Sequence, residues 1–184
     1  MKIRKYEARD KAACRRICSE CAAGLKEGES YREADFALYC DHYTDFESGS
    51  CFVAVNDYDE PVGYAFCAPD MGRYNEIFRS AYGRKLMLTA PDVWLTQTLL
   101  KKKLLKIAEF YPARTVFNVL PAGQRMGIGG ALKAKLKEYL AEQGVKGFFA
   151  LCPAKNLKAA GFFEKNGFKE YKKFFGYKIY VSET

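Results

Sequence analysis

Between residues 123 and 130 the chain reads Gly123-Gln-Arg-Met-Gly-Ile-Gly-Gly130, and no other stretch restricts the possible folds as much. An apolar run, Thr115-Val-Phe-Asn-Val-Leu120, precedes it across Pro121 and reads as a strand. Ala131–Gln143 follows, with Leu132, Leu136, Tyr139 and Leu140 at helical spacing, and Gly144 closes that helix. Strand, glycine-rich turn and helix in that order gather successive backbone N–H groups and a helix N-terminus around one point, which makes a site for an anion. Glycine suits such a turn because the main chain must approach the ligand closely and can take positive φ. Lys146–Cys152 supplies the next strand, ended by Pro153, so the unit predicts a parallel strand pair with a right-handed crossover.

Three phosphate-binding patterns compete for this loop. A P-loop requires Gly-Lys-Ser/Thr before the helix, and Gly129-Gly130-Ala131 lacks it. A dinucleotide fold requires a third glycine where Leu132 stands, in a unit near the start of its domain. The third pattern, Gln/Arg-x-x-Gly-x-Gly/Ala, is met without a gap by Gln124, Arg125, Met126, Gly127, Ile128 and Gly129.

Charge agrees with an anionic ligand in this half of the chain. Residues 101–184 hold 17 Lys and Arg against 6 Asp and Glu, whereas residues 1–100 hold 13 against 16. Such a basic half attracts phosphates, nucleic acid or an acidic surface. The alternation in Tyr171-Lys-Lys-Phe-Phe175 is that of an edge hairpin guarded by lysines, so nucleic acid is the least favoured partner.

The remaining chain reads as one domain spanning 1–184. Lys2–Glu7 alternates as a half-buried strand, Arg9–Ala23 is helical and ends near Gly24, and Tyr31–Thr44 is a second, less regular helix. Cys51–Val55 and Val62–Cys67 flank a turn-rich hexapeptide and predict a hairpin. Residues 68–90 carry no readable pattern and are the natural place for a substrate-facing insertion. Pro91-Asp92 opens a helix to about Phe110, Asn156–Asn166 is a helix stopped by Gly167, and Phe168–Phe175 with Tyr177–Val181 form a final hairpin. Seven cysteines without a secretory leader predict reduced thiols and a cytoplasmic protein. Cys14, Cys18 and Cys21 share one helical stripe and are expected in the core rather than on a metal. No run reaches the ~20 apolar residues of a membrane span, so no membrane partner is expected.

The loop resembles the acetyl-CoA pyrophosphate loop of the GNAT superfamily of N-acetyltransferases. A second segment, Asn156-x-x-Ala159-x-x-Phe162-Phe163-x-x-x-Gly167-Phe168, resembles that family's downstream motif at every spacing. Tyr111-Pro112-Ala113 and Ser50-Cys51-Phe-Val-Ala54 are further similar to a subgroup related to the acetyltransferase-like domain of O-GlcNAcases. The resemblance implies an α+β fold: a mixed, mostly antiparallel sheet whose central parallel pair splays at the acetyl-CoA site, with helices on both faces.

It also implies roles. The N–H groups from Arg125 to Gly130 would hold the diphosphate, with Lys155, Lys158 and Lys165 near the remaining phosphate. Backbone groups of Phe117, Asn118 and Val119 would pair with the pantetheine arm, with the Val119 N–H as oxyanion donor. Asn156 would hydrogen-bond the arm or its surroundings. Two positions depart from the family: its proton-donating Tyr corresponds to Phe163, and a Glu found in many members corresponds to Leu151. His42 is the expected base because histidine titrates in the useful range, with Asp41, Glu47, Tyr111, Tyr171 and Tyr177 as other candidates. Arg114 would favour an anionic group on the acceptor. The expected activity is acetyl transfer from acetyl-CoA, without a metal, to an amine of a small molecule or protein. A catalytically weak acyl-CoA-binding module is the alternative, and homodimer formation is left open.

Overall fold

In the computed structural model, which describes residues 1–21, 28–124 and 126–184, seven strands form one sheet in the order β1-β2-β3-β4-β5-β7-β6. The strands are β1 (Lys2–Lys5), β2 (Cys51–Val55), β3 (Pro61–Ala68), β4 (Ala113–Val119), β5 (Gly147–Pro153), β6 (Lys169–Phe174) and β7 (Tyr177–Glu183). Every neighbouring pair is antiparallel except β4 and β5, which run parallel. The helices are α1 (Lys11–Cys21), α2 (Glu29–Phe36), α3 (His42–Phe46), α4 (Met71–Phe78), α5 (Arg84–Thr89), α6 (Pro91–Ala108), α7 (Ile128–Glu142) and α8 (Leu157–Lys165). The mixed sheet with one parallel pair is the expected fold class. No helix among the described residues is long and apolar enough to cross a membrane.

Because side chains alternate along a strand, each sheet face builds its own core. On one face Cys14, Ile17 and Cys18 of α1 pack with residues of α2, α4 and α6 over Val53, Tyr64, Phe66 and Phe149. On the other, Leu132, Leu136 and Leu140 of α7 and Phe163 of α8 cover Ala65, Cys67, Phe148 and Cys152. The buried Cys14 and Cys18 are thus core residues, while Cys21 is half-buried. The expected end of α1 near Gly24 lies outside the described residues.

Three segments differ from their expected form. Residues 29–46 are one helical run broken by a π-helical stretch, Ala37–Asp41, between α2 and α3. Residues 68–90, unreadable in sequence, form α4, a π-helical stretch Arg79–Gly83, and α5. Asp70 caps α4, its Oδ1 accepting from the N–H of Gly72 at 2.7 Å and of Arg73 at 3.0 Å. Finally, α7 begins at Ile128 rather than Ala131, because Gly127 takes the left-handed N-cap position at φ 78° and two poor helix formers, Gly129 and Gly130, fill the first turn.

The β4–β5 fork as candidate functional site

The parallel strands β4 and β5 stay paired only at Ala113–Phe148, Arg114–Phe149 and Thr115–Ala150. Beyond Thr115, β4 runs on to Val119 against β3 while β5 runs on to Pro153 against β7. A wedge opens between them, lined by Val116, Phe117 and Asn118 from β4, by Leu151, Cys152 and Pro153 from β5, and by Asn156, Ala159 and Phe163 from the start of α8. Cys18, Cys21, Tyr39 and Arg114 line it from the α1–α2 face of the sheet.

Register decides which backbone groups of β4 face the wedge. The Leu120 N–H donates to the Val62 carbonyl at 2.9 Å. Antiparallel ladders alternate with a period of two, so the Asn118 backbone turns to β3 while the N–H and C=O of Phe117 and Val119 face the open side. The expected trio therefore divides. Phe117 and Val119 carry the free edge, and Asn118 contributes a side chain whose Nδ2 donates to Tyr64 Oη at 2.6 Å. Tyr64 in turn donates to the Tyr39 carbonyl at 3.0 Å. The Val119 carbonyl already accepts from Gln124 Nε2 at 3.1 Å and lies 3.4 Å from Cys21 Sγ, so Gln124 ties the loop back to the strand end.

At the wedge mouth sits the N-terminus of α7. It carries no side-chain cap and no acidic residue in its first turn, whereas α8 is capped by Asn156, whose Oδ1 accepts the Ala159 N–H at 3.0 Å. A 15-residue helix ending bare beside an open strand edge leaves N–H donors and the positive end of its dipole for a ligand. Met126 is exposed and Ile128 is buried beneath the loop; Arg125 lies outside the described residues. These groups fit a diphosphate at the mouth and an arm with two amides along the β4 edge. The free edge from Val116 to Val119 is about 10 Å long at the usual strand rise.

The loop glycines answer to different constraints. A Cβ at Gly127 would meet nothing within 4 Å, its need for glycine being the φ of 78° alone. A Cβ at Gly129 would fall 2.4 Å from Phe162 Cε2, and one at Gly130 would fall 2.8 Å from Asn166 Oδ1. Gly129 thus serves the packing of α7 on α8 as well as the loop. Gly129→Leu is expected to cost about 1–3 kcal/mol of stability through overpacking, read as a lowered denaturant midpoint at unchanged slope; an unchanged midpoint would contradict this packing role.

Phe163 is buried and stacked on Tyr180, with centroids 4.9 Å apart and planes at 17°. It closes the wedge with Phe117, whose ring also meets Phe162 and Phe168 at 5.7 and 5.8 Å. Asn156 lines the wedge while its Oδ1 holds α8. Lys155, Lys158 and Lys165 are exposed.

His42 is not at this site. It is fully buried among Tyr43, Phe46, Tyr74, Phe78 and Tyr82, its ring centroid 4.2 Å from that of Tyr74. Neither ring nitrogen finds a hydrogen-bond partner among the described residues. Burial, then the charges of Arg114 and Arg73, push its pKa down to about 3. It reads as a surface base only while its burial is unknown. Asp41 is bound to Arg15, with Nε–Oδ1 2.9 Å, and Glu47 lies 3.4 Å from Arg73 Nε.

One acid that sequence reading missed stands behind the wedge lining, its carbonyl 3.8 Å from Cys18 Sγ. Asp35 of α2 is half-buried, has no ion-pair partner among the described residues, and is pushed up to about 6 by desolvation. Its charge acts on Tyr39 and Cys18, both lining the wedge. The signal for it is the i, i+4 spacing of Asp35 and Tyr39, which has meaning only once the helix face is known.

Comparisons with known proteins agree with this geometry. No curated protein matches the chain in sequence. A crystal structure of SsHAT superposes with a TM-score of 0.84 at 21% identity, covering 99% of this chain and 97% of that one. PaiA N-acetyltransferase from Thermoplasma acidophilum, in complex with coenzyme A, gives 0.64 at 15% identity over 100% and 98%. The phosphinothricin acetyltransferase of Sinorhizobium meliloti, in complex with AcCoA, gives 0.57 at 13% over 99% and 87%. At these identities the likenesses establish the fold. The sequence profile of the acetyltransferase (GNAT) family matches residues 12–168, which takes in both faces of the wedge, the bare helix terminus and the capped one. A match of that extent settles the family: the chain belongs to the GNAT acetyltransferases.

Proposed function

We propose that the protein transfers the acetyl group of acetyl-CoA to an amine, with the donor entering at the α7 N-terminus and the amine arriving from the α1–α2 face. The observation that carries this reading is the uncapped α7 terminus at the mouth of the β4–β5 fork. The N–H groups at the start of α7 bind the diphosphate, and those of Val119 and Phe117 receive the arm. The thioester lies at the far end of that arm, deep in the fork. Phe117, two residues from the last paired residue, Thr115, therefore takes the oxyanion role, and Val119 N–H pairs the arm nearer the mouth. That moves the oxyanion donor one open-edge position inward from the expected Val119.

An alkyl ammonium, with pKa about 10.4, must lose a proton before attack. Asp35 accepts it: at about 6 the carboxyl is ionised at neutral pH yet more basic than an ordinary carboxylate. Phe163 offers no proton to the departing thiolate, and with a thiol pKa of about 8.5 the thiolate leaves without one. The second reading, a weakly catalytic acyl-CoA-binding module, draws on Phe163 and Leu151, which place two apolar side chains in the wedge where family members carry proton-transferring groups. Release of free CoA thiol from acetyl-CoA across a panel of amines distinguishes the two. Amine-dependent release supports transfer; tight acetyl-CoA binding with no release on any amine supports the module and overturns transfer.

A further inference from the structure

Arg114 is 2% exposed, lies at the closed end of the wedge, and forms no ion pair among the described residues. Its guanidinium sits 4.4 Å from the centre of the Tyr74 ring, and Tyr39, Tyr43 and Tyr177 are its other close electrostatic neighbours. The hydroxyls of Tyr43 and Tyr74 are themselves buried without hydrogen-bond partners among the described residues. Burying a guanidinium with no counter-charge is costly, and a cation–π contact offsets it only in part. The chain meets the cost at the residue preceding Thr115, where the strands part. The side-chain alternation of β4 sets Arg114 on the face away from α7, the amine side of the fork.

We infer that Arg114 receives a carboxylate of the acceptor, so the substrate is an amine that also bears a carboxylate. A carboxylate meets the guanidinium fork with two parallel hydrogen bonds and supplies the missing charge. Arg114 is three strand residues, about 10 Å of backbone, from Phe117 and lines the same wedge, so one small amino acid carries both groups. This inference rests on the acetyl-transfer reading for the direction of the amine, while the anion site itself stands on the buried cation.

The test has two arms. In the first, acetylation of amino acids is compared with that of their carboxamides by kcat/KM; the carboxylates are expected to be better by at least tenfold. In the second, isothermal titration measures N-acetylglycine and N-acetyl-β-alanine, with their carboxamides, against the CoA-saturated protein. This arm reads the site without turnover. Tighter binding of the carboxylates, abolished in Arg114→Met with the CoA affinity retained, is the expected result. Equal binding of carboxylates and carboxamides by the wild-type protein overturns the inference whatever the variant does. Carboxylate-selective binding without acetylation of any amine overturns the transfer reading and leaves the anion site standing. Should Arg114→Met fail to fold, as judged by near-ultraviolet circular dichroism, the wild-type pairwise comparison decides alone.

Discussion

Gly127→Glu is expected to lower the affinity for acetyl-CoA by at least a hundredfold, about 2.7 kcal/mol, while the chain stays folded. The substituent points into open space, so nothing in the core moves. Two effects add at the site. The left-handed φ of 78° costs a non-glycine residue about 1–2 kcal/mol, and a carboxylate at the N-cap competes with the diphosphate for the same N–H groups. Gly127→Ala carries the strain without the charge and is expected to lose less than tenfold. Isothermal titration of both variants measures this; wild-type affinity in Gly127→Glu would place the diphosphate elsewhere.

Asp35→Asn is expected to reduce kcat/KM by a factor of 10² to 10⁴, the usual contribution of a general base. In the wild type the base works deprotonated, so the rate rises with pH through about 6, and that rise disappears in the variant. Stability moves in the opposite direction. The folded-state pKa is raised above the ordinary carboxylate value, so the ionised carboxyl destabilises the fold as pH rises through about 6, and the fully protonated state below the unfolded value carries no penalty. Asparagine removes the penalty, so the variant should be more stable by about 1 kcal/mol at pH 7 to 8, after allowing for solvent that reaches the group, and no more stable near pH 3. Reduced turnover with increased stability marks a functional carboxyl; loss of both marks a structural one. Thermal melts at two pH values alongside a pH–rate profile separate these outcomes.

What the sequence revealed follows from what its patterns encode. The strand–loop–helix from Thr115 to Gln143 was legible because period two changes to period 3.6 across a glycine cluster. The hairpins were legible because their turns are local. The start of α7 was hidden by Gly129 and Gly130, whose low helix propensity is overruled by packing against Phe162 and Asn166. The helices between 71 and 89 were hidden by a π-helical stretch, which shifts the apolar face out of step with a regular period. A similar stretch at Ala37–Asp41 carries Tyr39 to the wedge, and nothing in the spacing of residues 29–46 announces it. The cofactor side was therefore readable, being built from one contiguous motif. The acceptor side was not, because Tyr39, Arg114 and Leu151 come to line one wedge only through tertiary packing. His42 shows the same limit from the other direction: its chemistry suits a base, and its burial among aromatic rings removes it.

The register of β4 makes the central claim, that the arm of acetyl-CoA lies along its open edge, directly measurable. Backbone amide exchange and ¹⁵N chemical shifts, followed residue by residue as acetyl-CoA is added, read that edge one N–H at a time. Phe117 and Val119 are expected to gain protection and shift together with Ile128, Gly129 and Gly130, while Asn118, already turned to β3, keeps the exchange rate it has in the free protein. Unchanged amides at Phe117 and Val119 in a protein saturated with acetyl-CoA would contradict the claim.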